Sequence, residues 1–174
     1  MPVSAHDVAR ELRARHPGLP VVKLHKLLYY CQGHHLAAFG EPLFAETISA
    51  WDLGPVVGTL WKQEDGGTVP ARRTELTEAQ LNTVGYVLSR YGALTGSDLV
   101  HLTHGESPWQ RADAGRPAGG RVRIELPWIE EYFSTTGSPD CDDEVPGGLA
   151  GVRELLDGAE ARRDRPRRPD SQDE

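Results

Sequence analysis

The stretch KLHKLLYYCQGHHLAAFGEPLFAETISAWDLGPVVGTLW, Lys23 to Trp61, decides how this chain is read. Its first half places Leu24, Leu27, Leu28, Cys31, His35 and Ala38 on one helical face, and Tyr30, Gly33 and Ala37 on a second face that carries no charge. Spacings of three and four residues mark an α-helix, and two uncharged faces mark one that is buried on more than one side. Gly40 suits a left-handed helix end, and Pro42 forbids continuation. Thr47, Ile48 and Trp51 then alternate as a short extended segment. Gly54-Pro55 is expected to turn the chain into a helix carrying Val56, Leu60 and Trp61.

Working outward, Ser4 with Asp7 reads as the N-cap and first-turn acid of a helix holding Val8 and Leu12, with Val3 beside it, and Pro17-Gly18-Leu19-Pro20 ends that helix. Residues Glu64 to Arg73 form a loop, with Gly66-Gly67 as a turn. Thr77 followed by Glu78 and Gln80 is a capping-box pattern, after which Leu81, Val84, Leu88 and Tyr91 define a helical face that stops at Gly92. Ser97 is expected to cap a short helix with Leu99, Leu102 and Thr103, and Pro108-Trp109 to begin another turn. Arg121–Glu125 reads as a short strand and Leu126–Phe133 as a final helix. The fold expected is mostly α: one compact multi-helix domain around a buried central helix, with at most a short two- or three-stranded β element.

At 174 residues the chain suits one domain with its own core plus a tail. The domain is assigned to residues 1–133. Residues 134–174 are rich in Gly, Pro and charge, including DCDDE at 140–144, and read as a tail with one short amphipathic helix at 147–157. The arginines between Arg162 and Arg168 are diluted by Asp164, Asp170, Asp173 and Glu174, which favours a solvated segment. A net charge of −7 argues against a surface devoted to nucleic-acid phosphates. No predicted helix is rich enough in Arg, Lys, Asn or Gln to read base edges. No apolar run approaches the roughly 18 residues that cross a bilayer, and no basic stretch precedes an apolar one near Met1, so the expected location is the cytoplasm.

The chemistry-bearing residues are sparse. Cys31 lies in the apolar helix and Cys141 among acids, a poor setting for a structural disulfide or a reactive thiolate. Cys31 with His35, and His101 with His104 near Asp98 and Glu106, have spacings that metal sites use, but no paired CxxC-type motif supports them, so no metal or cofactor is expected. Neither a nucleophile-elbow GxSxG nor a phosphate-cradling GxxxxGK is present, and no enzymatic activity is expected. Trp51, Trp61, Trp109 and Trp128 stand beside turns or helix starts, where a ring packs in the core or anchors an interface. Lys23, Lys26, Tyr30 and Gln32 are polar or amphipathic residues on an otherwise apolar helix, where burial is costly without a partner. They either close an internal hydrogen-bond network or face a bound protein.

Three blocks in order, KLHKLLYYCQGHHLAAFGEPLF, AWDLGPVVGTLW and LVHLTHGESPWQRA, resemble the Panacea domain, the SocA-like antitoxin family associated with phages and toxin–antitoxin pairs. The resemblance spans about residues 4 to 133. The family's "KLQKLLY" and "QGWHL" are matched by Lys23, Leu24, Lys26, Leu27, Leu28, Tyr29, Gln32, Gly33, His35 and Leu36, with His25 in place of Gln and His34 in place of Trp. "AWxxGPVxxxLY" is matched by Ala50, Trp51, Gly54, Pro55, Val56 and Leu60, with Trp61 in place of Tyr. "LTHxExPW" is matched by Leu102, Thr103, His104, Glu106, Pro108 and Trp109. The resemblance implies a helical antitoxin that neutralises a toxin encoded by a neighbouring gene through direct binding. The alternative is an adaptor that delivers its partner to a protease. Candidate partner contacts are Lys23, Lys26, Tyr30, Gln32, Trp51, Gly54, Pro55, His104 and Trp109. The toxin's identity and the oligomeric state are not encoded in any motif.

Overall fold

The computed structural model describes residues 1–136, and the segment expected to be a tail, with its helix at 147–157, lies from 137 onward outside them. Among the described residues the fold is mostly helical, as expected, with seven helices and one three-stranded antiparallel sheet of order β2-β1-β3. In chain order these are α1 (Ala5–Arg15), α2 (Val21–Phe39), β1 (Ile48–Trp51), β2 (Gly54–Val57), α3 (Gly58–Asp65), α4 (Glu78–Tyr91), α5 (Gly96–His104), α6 (Ser107–Asp113), β3 (Val122–Arg123) and α7 (Leu126–Thr136). Helix α2 is the hub and packs against α1, α4, α5, α7 and β2. The last helix runs three residues beyond Phe133.

Local chemistry accounts for most helix ends. Ser4 and Asp7 exchange side-chain and backbone hydrogen bonds to open α1, and Thr77 and Gln80 do the same for α4. Gly40 ends α2 with φ 68°, a left-handed conformation that glycine adopts without a side-chain penalty. The cap of α5 differs from expectation: it is Thr95, paired with Asp98, and Ser97 lies inside the helix. Thr95 has a carboxylate three residues on, so it can satisfy two orphan N–H groups, whereas Ser97 has Val100 at that position.

Two further differences concern faces and turns. The inward side of α4 is Gln80, Thr83, Val84, Val87 and Tyr91, with Leu81 and Leu88 only half-buried. Thr83 tolerates burial because its hydroxyl donates to Ala79 O and meets His35 Nδ1 at 2.8 Å. The turn expected at Gly54-Pro55 instead lies at Asp52-Leu53, and Gly54-Pro55-Val56-Val57 is β2, paired with β1 from Trp51↔Gly54 to Ile48↔Val57. Proline fits there because β2 is an edge strand and needs no ladder N–H at every position. The short strand expected within 121–125 is β3, which pairs with β1.

Nearly every residue of α2 from Lys23 to Leu36 is buried, while Ala37, Ala38 and Phe39 are exposed. Gly33 lets α7 approach: a Cβ there would stand 2.2 Å from the Phe133 ring. Gln32, fully buried, holds the following connector against the helix. Its Oε1 accepts from Leu43 N–H (2.8 Å) and Phe44 N–H (3.2 Å), and its Nε2 donates to Phe44 O (2.9 Å). Leucine at position 32 would leave these backbone groups buried and unpaired. Gln32→Leu is therefore expected to destabilise the fold by roughly 3 kcal/mol or more in urea titrations, well beyond the effect of an exposed-site change on α2 such as Ala38→Gln.

Candidate functional site

Four polar side chains of α2, Lys23, Lys26, Tyr30 and Gln32, reach out in several directions, and each finds a partner inside the molecule. Lys23 Nζ donates to Gly92 O at 2.6 Å and lies 3.2 Å from His16 Nε2. Lys26 Nζ donates to Pro55 O at 2.9 Å. Tyr30 Oη donates to Glu106 Oε2 at 2.9 Å. Together with Gln32, these residues close the internal network that was one of their two alternatives. His35 and Cys31, on the same helix, are also buried, and Cys31 is a free thiol whose pKa burial raises. Among the described residues, no group of three or more His, Cys, Asp or Glu is placed to hold a metal ion.

The remaining candidates gather at one end of α2, around the β1–β2 hairpin. Gly54 has φ 99°, and a Cβ on it would lie 2.8 Å from Lys26 Cε and 2.7 Å from Thr103 Oγ1. Glycine is thus required twice at this position, for its backbone conformation and for the close approach of Lys26. Trp109 Nε1 donates to Trp51 O at 3.1 Å, and His104 stacks on Trp109 with ring centroids 4.0 Å apart. His104 and Trp109 therefore brace the hairpin from behind. Pro55 and Gly54 are buried, while Trp51, Trp109 and His104 are half-buried.

In front of the hairpin is a cleft of about 340 Å³. Trp51, Trp61, Val22 and Val56 supply its apolar walls, Leu53 its rim, and His25, Lys26 and Arg121 its basic groups. Leu53 is 55% exposed and Trp61 38%, so the rim of the cleft carries two large apolar side chains open to solvent. Trp61 packs edge-on against Trp51 and tilted against His25, while the Arg121 guanidinium lies 4.4 Å from the Trp51 ring centroid. Burial, reinforced by the Lys26 charge, drops the His25 pKa to about 4, and burial lowers that of Lys26 to about 8. His25 is consequently neutral at physiological pH. Its Nδ1 accepts from Val57 N–H at 3.2 Å, which puts the ring proton on Nε2.

A second polar cluster lies where α2, α4, α6 and α7 converge. Tyr30 stacks on Tyr91 at 3.9 Å, His34 Nε2 lies 2.9 Å from Tyr91 Oη, and Phe133 packs edge-on against Tyr29, Tyr30 and His34. Glu106 is buried against this aromatic group. Burial pushes its carboxyl up to about 7, against the opposing influence of the Tyr30, Tyr29 and Tyr132 hydroxyls.

Trp51, Gly54 and Pro55, expected from the sequence, do lie at the hairpin, whereas His25, Leu53 and Arg121 join the cleft only through the fold. His25 was visible as a departure from the family pattern. Arg121 was not, because nothing local links it to Trp51.

The segment that holds the helical hub, the glycine-proline hairpin and the His104–Trp109 stack matches a known family in sequence. The family model for the antitoxin SocA-like, Panacea domain matches residues 24–110, half of the chain, and the chain belongs to that family. No match is found among curated proteins or among solved structures. Among the described residues, no helix is long and apolar enough to cross a membrane.

The Glu106 cluster gives a pH signature. Because the folded pKa of about 7 exceeds the ordinary 4.5, the native state keeps a proton that the unfolded chain has lost between those values, and stability falls as pH rises through that window. His25 and His34, both lowered to about 4 from 6.5, act oppositely: their contribution is lost as pH falls from 6.5 to about 4. Glu106→Gln isolates the carboxyl. Its unfolding free energy relative to wild type is expected to be flat below pH 4.5, to rise up to pH 7 by about 3 kcal/mol, and to level off above.

Proposed function

We propose that this protein is an antitoxin that neutralises a cognate toxin, the product of an adjacent gene, by stoichiometric binding in the cytoplasm that masks the toxin's working surface. It performs no chemistry of its own in this reading. Family membership supports the antitoxin role. The observation that carries direct binding is the cleft: two exposed apolar side chains, Leu53 and Trp61, flank a recess lined by aromatic rings and basic groups. Such a patch has the character of a protein interface, where aromatic anchors in partly desolvated pockets supply most of the affinity. An interface of ordinary size, roughly 800 Å² on each side, would cover the hairpin, α3 and the start of α2.

The buried polar residues of α2 enter this proposal indirectly. Lys26 fixes Pro55, and Trp109 fixes Trp51, so the hairpin is presented in one conformation and less ordering entropy is lost on binding.

Growth rescue and co-purification with the neighbouring gene product test the reading, using the full chain and a chain ending at Thr136. Wild type is expected to bind and rescue. Leu53→Asp, at an exposed position, should weaken the complex by about 2 kcal/mol or more while leaving thermal unfolding unchanged. Purified toxin and antitoxin should suffice for neutralisation. If protection appears only when a protease is present and toxin lifetime shortens, the protein acts as a delivery adaptor instead.

A further inference from the structure

The side chains that line the cleft in front of the hairpin carry several hydrogen-bond donors, in His25, Lys26, Trp51 and Arg121, and one carboxylate, that of Asp52. Lys26 has three N–H donors, of which Pro55 O takes one. His25 carries its proton on Nε2, since Val57 N–H occupies its other nitrogen, and that buried Nε2 has no hydrogen-bond partner in the protein. Trp51 Nε1 is likewise buried without an acceptor. Arg121, exposed and lying over the Trp51 ring, adds a guanidinium. Asp52, the acidic residue of the lining, is already engaged by Arg116, which also pairs with Asp113. Buried N–H groups left unpaired are a cost that native structures rarely carry without a reason.

From this arrangement we infer that the cleft is the seat for a carboxylate side chain of the partner protein, its stem packed between Trp51, Trp61 and Leu53 and its oxygens taken by Lys26, His25, Trp51 and Arg121. The identity of the partner as a toxin rests on the function proposed above, and the chemistry of the seat does not. Several physical points favour this occupant. Residues 1–136 carry 13 Lys and Arg against 15 Asp and Glu, so a recess lined by Lys26 and Arg121 is a local excess of positive charge that selects one acidic group. The Arg121 guanidinium, 4.4 Å from the Trp51 ring centroid, is a planar fork of N–H donors, the shape that matches a carboxylate. The aromatic walls suit a side chain with an apolar stem better than a fully hydrated phosphate. A nucleic acid would need several phosphates neutralised together, which a single recess on an acidic chain does not provide.

Two measurements on the full chain test the seat. In the first, labelled protein is titrated with hexanoate, with hexanamide and with inorganic phosphate while the Trp51 indole N–H and the His25 ring are followed by NMR. Hexanoate is expected to shift both and to raise the Lys26 titration midpoint above about 8, and Arg121→Glu should abolish these changes without altering thermal unfolding. Hexanamide and phosphate should leave the signals in place. No carboxylate-selective shift, or the same shift in Arg121→Glu, overturns the inference.

The second measurement uses the neighbouring gene product. Arg121→Glu is expected to weaken its binding about tenfold or more, Arg121→Lys to retain most of it, and an Asp or Glu to Lys exchange on the toxin to restore binding to Arg121→Glu. Equal binding by wild type and Arg121→Glu rejects the carboxylate seat and leaves direct masking standing. If wild type itself does not bind, direct masking of that neighbour fails, and the hexanoate titration alone decides the seat.

Discussion

A buried helix pays heavily for each unpaired polar group, and in this protein four side-chain bonds from α2 organise much of what packs around it. Gln32 draws in the connector that follows the helix, Lys23 draws in the end of α4, Lys26 the hairpin, and Tyr30 the junction between α5 and α6. Each bond joins a side chain in the middle of the molecule to a group remote in sequence. The net gain from one such bond is modest, but the cost of breaking it is the full desolvation of a buried group. The network therefore specifies one arrangement of the surrounding elements more than it adds raw stability.

The hairpin shows how this reaches the surface. Lys26 can lie under β2 only because residue 54 has no Cβ, and its ammonium then holds the carbonyl of Pro55. Trp109 grips Trp51 from the other side, with His104 stacked behind it. The outward-facing rings and the basic groups of the cleft are thereby placed on a support with little freedom. A binding surface built in this way gains from rigidity rather than from area.

Local chemistry was legible in the sequence, and long-range chemistry was not. The caps at Ser4 and Thr77 and the left-handed end at Gly40 depend on residues within a few positions of one another, so their patterns could be read directly. The Thr95–Asp98 capping box was equally local, and the nearby Ser97 drew attention from it. The hairpin turn was displaced because Gly-Pro is a turn signal in isolation, and only an edge strand pressed against Lys26 makes it a strand. The inward face of α4 shifted toward Thr83 because His35 and Ala79 satisfy its hydroxyl, information that hydrophobic spacing lacks. Whether Lys23, Lys26, Tyr30 and Gln32 pointed inward depended on acceptors far along the chain, as did the meeting of Arg121 with Trp51.

If α2 holds its surroundings through side-chain-to-backbone bonds, the backbone amides that donate to it should open only with the whole fold. Native-state hydrogen exchange at Leu43, Phe44 and Val57, whose N–H groups donate to Gln32 and His25, measures this directly. These amides are expected to exchange with the same free energy as the centre of α2 and to lose that protection together in Gln32→Leu. Exchange at the fast, local rate of ordinary connector amides, with α2 itself still protected, would contradict the account.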